Sequence, residues 1–151
     1  MRVTLVLLLA LAAAGCFAPP RAAEPLYGRE AVALEPAERD FVLAEMRQFV
    51  QAIRGIIEGV ADNDMKAVAA AARAVGVQVQ RSQISVPGSA AAGVARKVPA
   101  GFRTLGLATH TAFDEMALHA EQSGARDQLL AALADNLRRC VACHAAYRFP
   151  E

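Results

Sequence analysis

The amino-acid sequence predicts an all-α fold, an antiparallel four-helix bundle, on three observations. Four stretches carry apolar residues at steps of three and four; alanine is abundant while aromatic residues make up only 5% and Trp is absent; and no segment of useful length shows the period of two that a half-buried strand requires. Alanine has the highest helix propensity, and small side chains let helices pack closely. At 151 residues, with 55% hydrophobic and 21% charged residues, the chain suits one domain with a real core and is short for two.

The chain starts with a segment that reads as an export leader. Residues 1–15 hold one basic residue, Arg2, an apolar run from Val3 to Leu11, and then the small residues Ala12, Ala13, Ala14 and Gly15. The run is well short of the roughly 20 apolar residues of a spanning helix. Leu11-Ala12-Ala13-Ala14-Gly15-Cys16 resembles a bacterial lipoprotein box, with Ala13 rather than Leu three before the cysteine. A lipidated Cys16 would tether the protein to a membrane surface facing the periplasm without spanning it. Ordinary cleavage near Ala14 or Ala22-Ala23 is the alternative. Residues 16–35, with Pro19, Pro20, Pro25 and Gly28, show no helical period and read as an N-terminal tether. The formal charge of +1 falls to zero once Arg2 is removed, and no basic field is left to attract nucleic acid.

The domain proper is expected over residues 36–149. Val42, Met46, Phe49, Ile53, Ile56 and Val60 form the first stripe, from Pro36 to Val60. Pro36 suits a first helical turn, where its missing N–H is not needed, and Gly59 falls near the end. Met65, Val68, Ala72, Val75 and Val79 form the second, a helix from about Asn63 to Arg81 with Asp62 or Asp64 as its cap. From Ser82 to Gly101 the glycines and prolines predict a long crossing connection with room for one short helical turn. Phe102, Leu105, Thr109, Phe113, Met116 and Ala120 form the third stripe, closed by Ser123-Gly124. Leu129, Leu130, Leu133, Leu137, Cys140, His144 and Tyr147 form the fourth. Four amphipathic helices with short and long connections fit a bundle.

Cys140-Val141-Ala142-Cys143-His144 is a C-x-x-C-H sequence near the C-terminus. On a helix, residues i, i+3 and i+4 share a face, so two thiols and an imidazole address one flat ligand. The thiols can add to the two vinyl groups of a haem and the imidazole can take an axial place on its iron, which is the c-type attachment signal. Structural zinc would need about four N or S ligands, and there is no second Cys pair. A thiol redox site belongs after a strand in an α/β fold, and a plain disulfide leaves the adjacent His unexplained. The expected cofactor is one covalent haem c with His144 as a metal ligand, and export agrees with that chemistry.

With the motif on the last helix, the chain resembles the class II cytochromes c, the cytochrome c′ family. The matching residues are Cys140, Cys143, His144 and the following Ala145-Ala146-Tyr147-Arg148, where an aromatic and a basic residue are characteristic. Met46-Arg47-Gln48-Phe49-Val50-Gln51-Ala52-Ile53 and Asp64-Met65-Lys66-Ala67-Val68 are similar to the family's first helix and the start of its second. The resemblance spans roughly Pro36 to Arg148 and is poor over Ser82 to Gly101. It implies haem on the C-terminal helix of the bundle, and it implies that Met46 faces the iron opposite His144. A ligating Met46 gives a low-spin periplasmic electron carrier that works with redox partner proteins. A non-ligating one leaves five-coordinate iron that binds nitric oxide or carbon monoxide. The resemblance also implies that Arg148 neighbours the axial histidine, and that two copies pair through the first two helices as a homodimer. Where the family carries an Arg near a haem propionate this chain has Val42, and Arg39 or Arg47 is the expected substitute. His110 and His119 fall at the margins of the third stripe, so surface or boundary places are expected for both; Met65 and Met116 are expected to serve packing. No distal acid–base group is evident from sequence, so an enzyme is not expected.

Overall fold

The computed structural model describes residues 28–122 and 124–150. The expected leader, residues 1–15, and Cys16, with its expected lipidation, lie outside the described residues. The fold is all-α, with helices α1 (Pro36–Ala61), α2 (Met65–Arg73), α3 (Val77–Ile84), α4 (Ala90–Lys97), α5 (Ala100–Gln122) and α6 (Arg126–Ala146), and two short strands, β1 (Glu30–Ala31) and β2 (Tyr147–Arg148). None of the described helices is long and apolar enough to cross a membrane.

Local chemistry sets most helix ends. At the start of α1, Glu35 and Glu38 form a reciprocal capping box around Pro36, with the Glu35 N–H donating to Glu38 Oε2 at 2.8 Å. Asn63, in the left-handed region at φ 57°, turns the chain, and Asp64 caps α2 by accepting from the Ala67 N–H at 2.9 Å. Gly59 stands two residues before the end of α1 because α2 crosses there: a Cβ at Gly59 would lie 2.8 Å from Val68 Cγ2.

The second helix departs from expectation. It breaks at Ala74–Gly76 into α2 and α3, and residues distant in sequence hold the break. His110 Nδ1 lies 2.7 Å from the Val75 carbonyl, and Asp114 Oδ2 accepts from the Val77 N–H at 2.9 Å. Backbone groups that a continuous helix would pair internally are satisfied from α5 instead. The connection expected to hold one turn contains the two-turn helix α4, capped by Ser89 Oγ accepting from the Ala92 N–H at 3.1 Å.

The fourth helix also ends early. Tyr147 and Arg148 leave α6 and pair in parallel with Glu30 and Ala31, and the Val32 N–H donates to the Arg148 carbonyl at 2.8 Å. Val32 is buried. Residues 28–35, expected as the end of a tether, are therefore packed onto the domain, because burial of Val32 and Leu34 and pairing of their backbone hold them there.

α1 lies along α2, α2 along α5, and α5 along α6, while α4 crosses α1 and α1 meets α6 over a short stretch. The main core lies between α1, α2, α5 and α6 around Ile56, Val68, Phe113, Met116 and Leu129. A second cluster, Val32, Val42, Val94 and Val98 with Phe41, Phe102, Tyr147 and Phe149 against it, closes the end that holds the chain's last residues. Met46 packs against both. Between them lies a cleft.

Candidate functional site

The last two turns of α6 form one wall of this cleft with Arg139, Cys140, Cys143 and His144. α1 supplies Phe41, Val42, Glu45, Met46 and Phe49; α4 supplies Ala91, Val94 and Ala95; α5 supplies Phe102, Arg103, Leu105, Thr109 and His110. The space between these walls is about 860 Å3 with its open mouth included. Five residues of α6 thus bring two thiols and an imidazole to the same hollow as a thioether nearly a hundred residues earlier in the chain.

Cys140 and Cys143 are free thiols, each partly buried, and burial pushes both thiols above the ordinary cysteine range. Cys140 Sγ makes a weak hydrogen bond to the Asn136 carbonyl at 3.8 Å. His144 has an exposed side chain at the mouth, and its carbonyl accepts from Arg29 Nη1 at 3.4 Å. Among the described residues, no three His, Cys, Asp or Glu side chains gather in a way that could hold a bare metal ion. The donors present suit a flat group that brings its own metal and is held at its edge.

Met46 lies on the α1 wall of the cleft that His144 also lines. Arg148 lies elsewhere. α6 ends at Ala146 and Arg148 is exposed on extended backbone, so it is not one helical turn beyond His144 and does not line the cleft. Val42 is 1% exposed within the second apolar cluster, where a charge would be unpaired. Neither Arg39 nor Arg47 reaches the cleft; Arg39 donates to the Pro150 carbonyl at 3.3 Å. The cations on the wall are Arg103 and Arg139. Sequence reasoning missed both, since neither lies on an apolar stripe.

His110 is the larger correction. It is 3% exposed, not at the boundary, with its ring 5.0 Å from that of Phe49 and Nε2 3.4 Å from Glu45 Oε1. A carbonyl only accepts, so the contact with Val75 puts a proton on Nδ1 and turns Nε2 toward Glu45. The signal was present: Gly106, His110, Phe113 and Ala117 make a second row at steps of four and three beside the chosen stripe. His119 is only partly buried and does not line the cleft, in keeping with a boundary place. Met65 and Met116 pack in and against the main core, as expected. Comparison with protein-family models, curated proteins and solved structures finds no match to this chain.

Proposed function

We propose that this chain is a c-type cytochrome of the class II kind, a four-helix bundle of α1, α2 with α3, α5 and α6 that carries one covalent haem on α6. The observation that carries the reading is the C-x-x-C-H sequence lining a largely apolar cleft that Met46 also lines. The donor chemistry fits the group. Cys140 and Cys143 would hold it by thioether bonds to its two vinyl groups, and His144 would supply an imidazole nitrogen to its iron. Arg103 and Arg139 would offer cations to its two propionates.

When bound, the haem supplies a one-electron ferric/ferrous couple. The chain's own residues set its behaviour. Phe49, Val94 and Val98 would shield the group from water, and Met46 Sδ, on the same cleft as His144, would be available to its iron as a second protein ligand. A sulfur and a nitrogen ligand retained in both oxidation states raise the potential and keep rearrangement small, which suits an electron carrier rather than an enzyme. The leader over residues 1–15 and the C-x-x-C-H sequence together support a periplasmic place, anchored through Cys16 if that residue is lipidated. The apolar, aromatic surroundings of Met46 favour a second reading, a five-coordinate iron that takes nitric oxide or carbon monoxide.

One experiment tests both. The full chain is produced with a haem-attachment apparatus, and haem is sought on the denatured polypeptide. Visible spectra are then recorded in both oxidation states, with and without carbon monoxide. A low-spin spectrum indifferent to carbon monoxide, turned high-spin and gas-binding by Met46→Ala, supports the carrier. A high-spin spectrum in the unaltered chain supports the gas-binding reading. Absence of haem from the denatured chain refutes both.

A further inference from the structure

Charge is divided along the molecule. The cleft end comprises residues 28–47, 77–110 and 135–150, where ten Lys and Arg stand against six Asp and Glu, a formal +4. In residues 48–76 and 111–134, four stand against seven, a formal −3. No carboxylate occurs from Val77 to Phe113, the stretch that supplies α3, α4 and the cleft half of α5. A chain that is close to neutral is thus strongly dipolar, with its positive pole at Cys140 to His144.

The cations at this pole are poorly neutralised. Lys97 meets Glu38 at 2.8 Å and Glu35 at 3.6 Å, and Arg138 meets Asp135. Arg29 and Arg39 donate to the main-chain carbonyls of His144 and Pro150. Among the described residues, Arg148 has no carboxylate partner either; Arg103 and Arg139 have none within the chain and would be left to the haem propionates, whose two negative charges would lower the net charge of this end by two. In their midst is a small apolar spot. Leu137 and Val141, one turn apart on α6, are 39% and 70% exposed, and Val141 lies between the two cysteines. An apolar centre with a charged rim is the usual anatomy of a protein interface.

We propose that this arginine-rimmed surface over Cys140 to His144 docks the carboxylate-rich face of a partner protein that exchanges one electron with the haem. The proposal rests on the cytochrome reading above. In the reducing direction one electron leaves the partner's redox centre, which is oxidised, and ferric iron becomes ferrous; no proton or group moves with it. The dipole turns the cleft end toward an acidic partner before contact, and Leu137 and Val141 make the dry centre of a short-lived complex. An anionic membrane would instead be met by a broad apolar helix face bearing aromatic side chains, and here the exposed apolar centre is two aliphatic residues.

The test uses the holo-chain with reduced rubredoxin, a small carboxylate-rich iron–sulfur protein, as probe. Affinity is read by isothermal titration and electron transfer by stopped flow, from low to physiological salt. Both are expected to weaken by about tenfold or more with salt, and equally with Arg138→Glu plus Arg148→Glu, two positions off the cleft wall. The milder Arg138→Gln plus Arg148→Gln pair guards against a folding defect and should lie between. Lys66→Glu plus Arg126→Glu, at the far end, should change neither reading by more than about twofold. A chain that dithionite reduces but whose exchange with rubredoxin ignores salt and the arginine variants overturns the proposal alone. Salt-sensitive capture on phosphatidylglycerol vesicles with no affinity for rubredoxin overturns it in favour of a membrane. A chain without covalent haem removes the cytochrome reading and the proposal together.

Discussion

Phe113 joins the main core to the cleft. It is 1% exposed, and its ring stacks on that of Phe49 with centroids 5.6 Å apart and planes 11° from parallel. Phe49 in turn touches the His110 ring and lines the cleft. Phe113→Ala would leave a void between packed helices at a cost of about 3–5 kcal/mol. A domain of this size has a total stability of roughly 5–15 kcal/mol, so that variant falls close to unfolding. Phe113→Leu is the sharper probe, because it keeps most of the apolar volume and removes the ring pair. That pair contributes about 0.5–1.5 kcal/mol beyond area burial. With imperfect filling by the leucine, the loss should come to about 1–2.5 kcal/mol. Phe49→Leu should cost a similar amount, and the double variant should fall short of the sum by about 0.5–1.5 kcal/mol. Urea unfolding of the four proteins, followed by far-ultraviolet circular dichroism, measures the difference. A shortfall under about 0.3 kcal/mol, which is how independent sites behave, would refute the stack as the link between core and cleft.

Two further predictions concern titration and reactivity. The Lys97 ammonium, and after it the Glu35 N–H, hold the Glu38 carboxyl below its ordinary 4.5. A lowered folded value contributes stability that is present above the ordinary value and lost as pH falls through the lowered one. The urea midpoint of the native chain should therefore drop further between pH 6 and pH 3 than that of Glu38→Gln; equal drops would count against the pairing. Because burial raises both Cys140 and Cys143, their free thiols should react with iodoacetamide at neutral pH several-fold more slowly than a short cysteine peptide. Faster alkylation would contradict the burial assigned to the two thiols.

Agreement between sequence and structure follows the range of the forces involved. α1 runs from Pro36 to Ala61 against an expected Pro36 to Val60, because a proline, a capping box and an apolar stripe all act within a few residues. The expected second helix breaks at Gly76 because His110 and Asp114, some 35 residues on, bind the backbone there. No window along the chain displays that contact. Tyr147 continues the apolar pattern of α6, yet it and Arg148 leave the helix because β1, more than a hundred residues earlier, offers them partners. The place expected for Arg148, one helical turn beyond His144, assumed a continuous helix, and α6 ends at Ala146.

For the candidate site the division is the same. Cys140, Cys143 and His144 could be read from sequence because five consecutive residues carry the whole spacing, and a helix of almost any packing presents them on one face. Composition and periodicity were likewise enough for an all-α chain, since alanine content and the 3.6-residue repeat are properties of local backbone. Only tertiary structure decided what those three residues look out on. It set Met46 and a buried His110 into one cleft, left Arg148 outside it, put Arg103 and Arg139 on its wall, and gathered the cations of three separate segments at one end. Such groupings depend on which helix faces pack together, and packing energy comes from apolar surface that many pairings could bury.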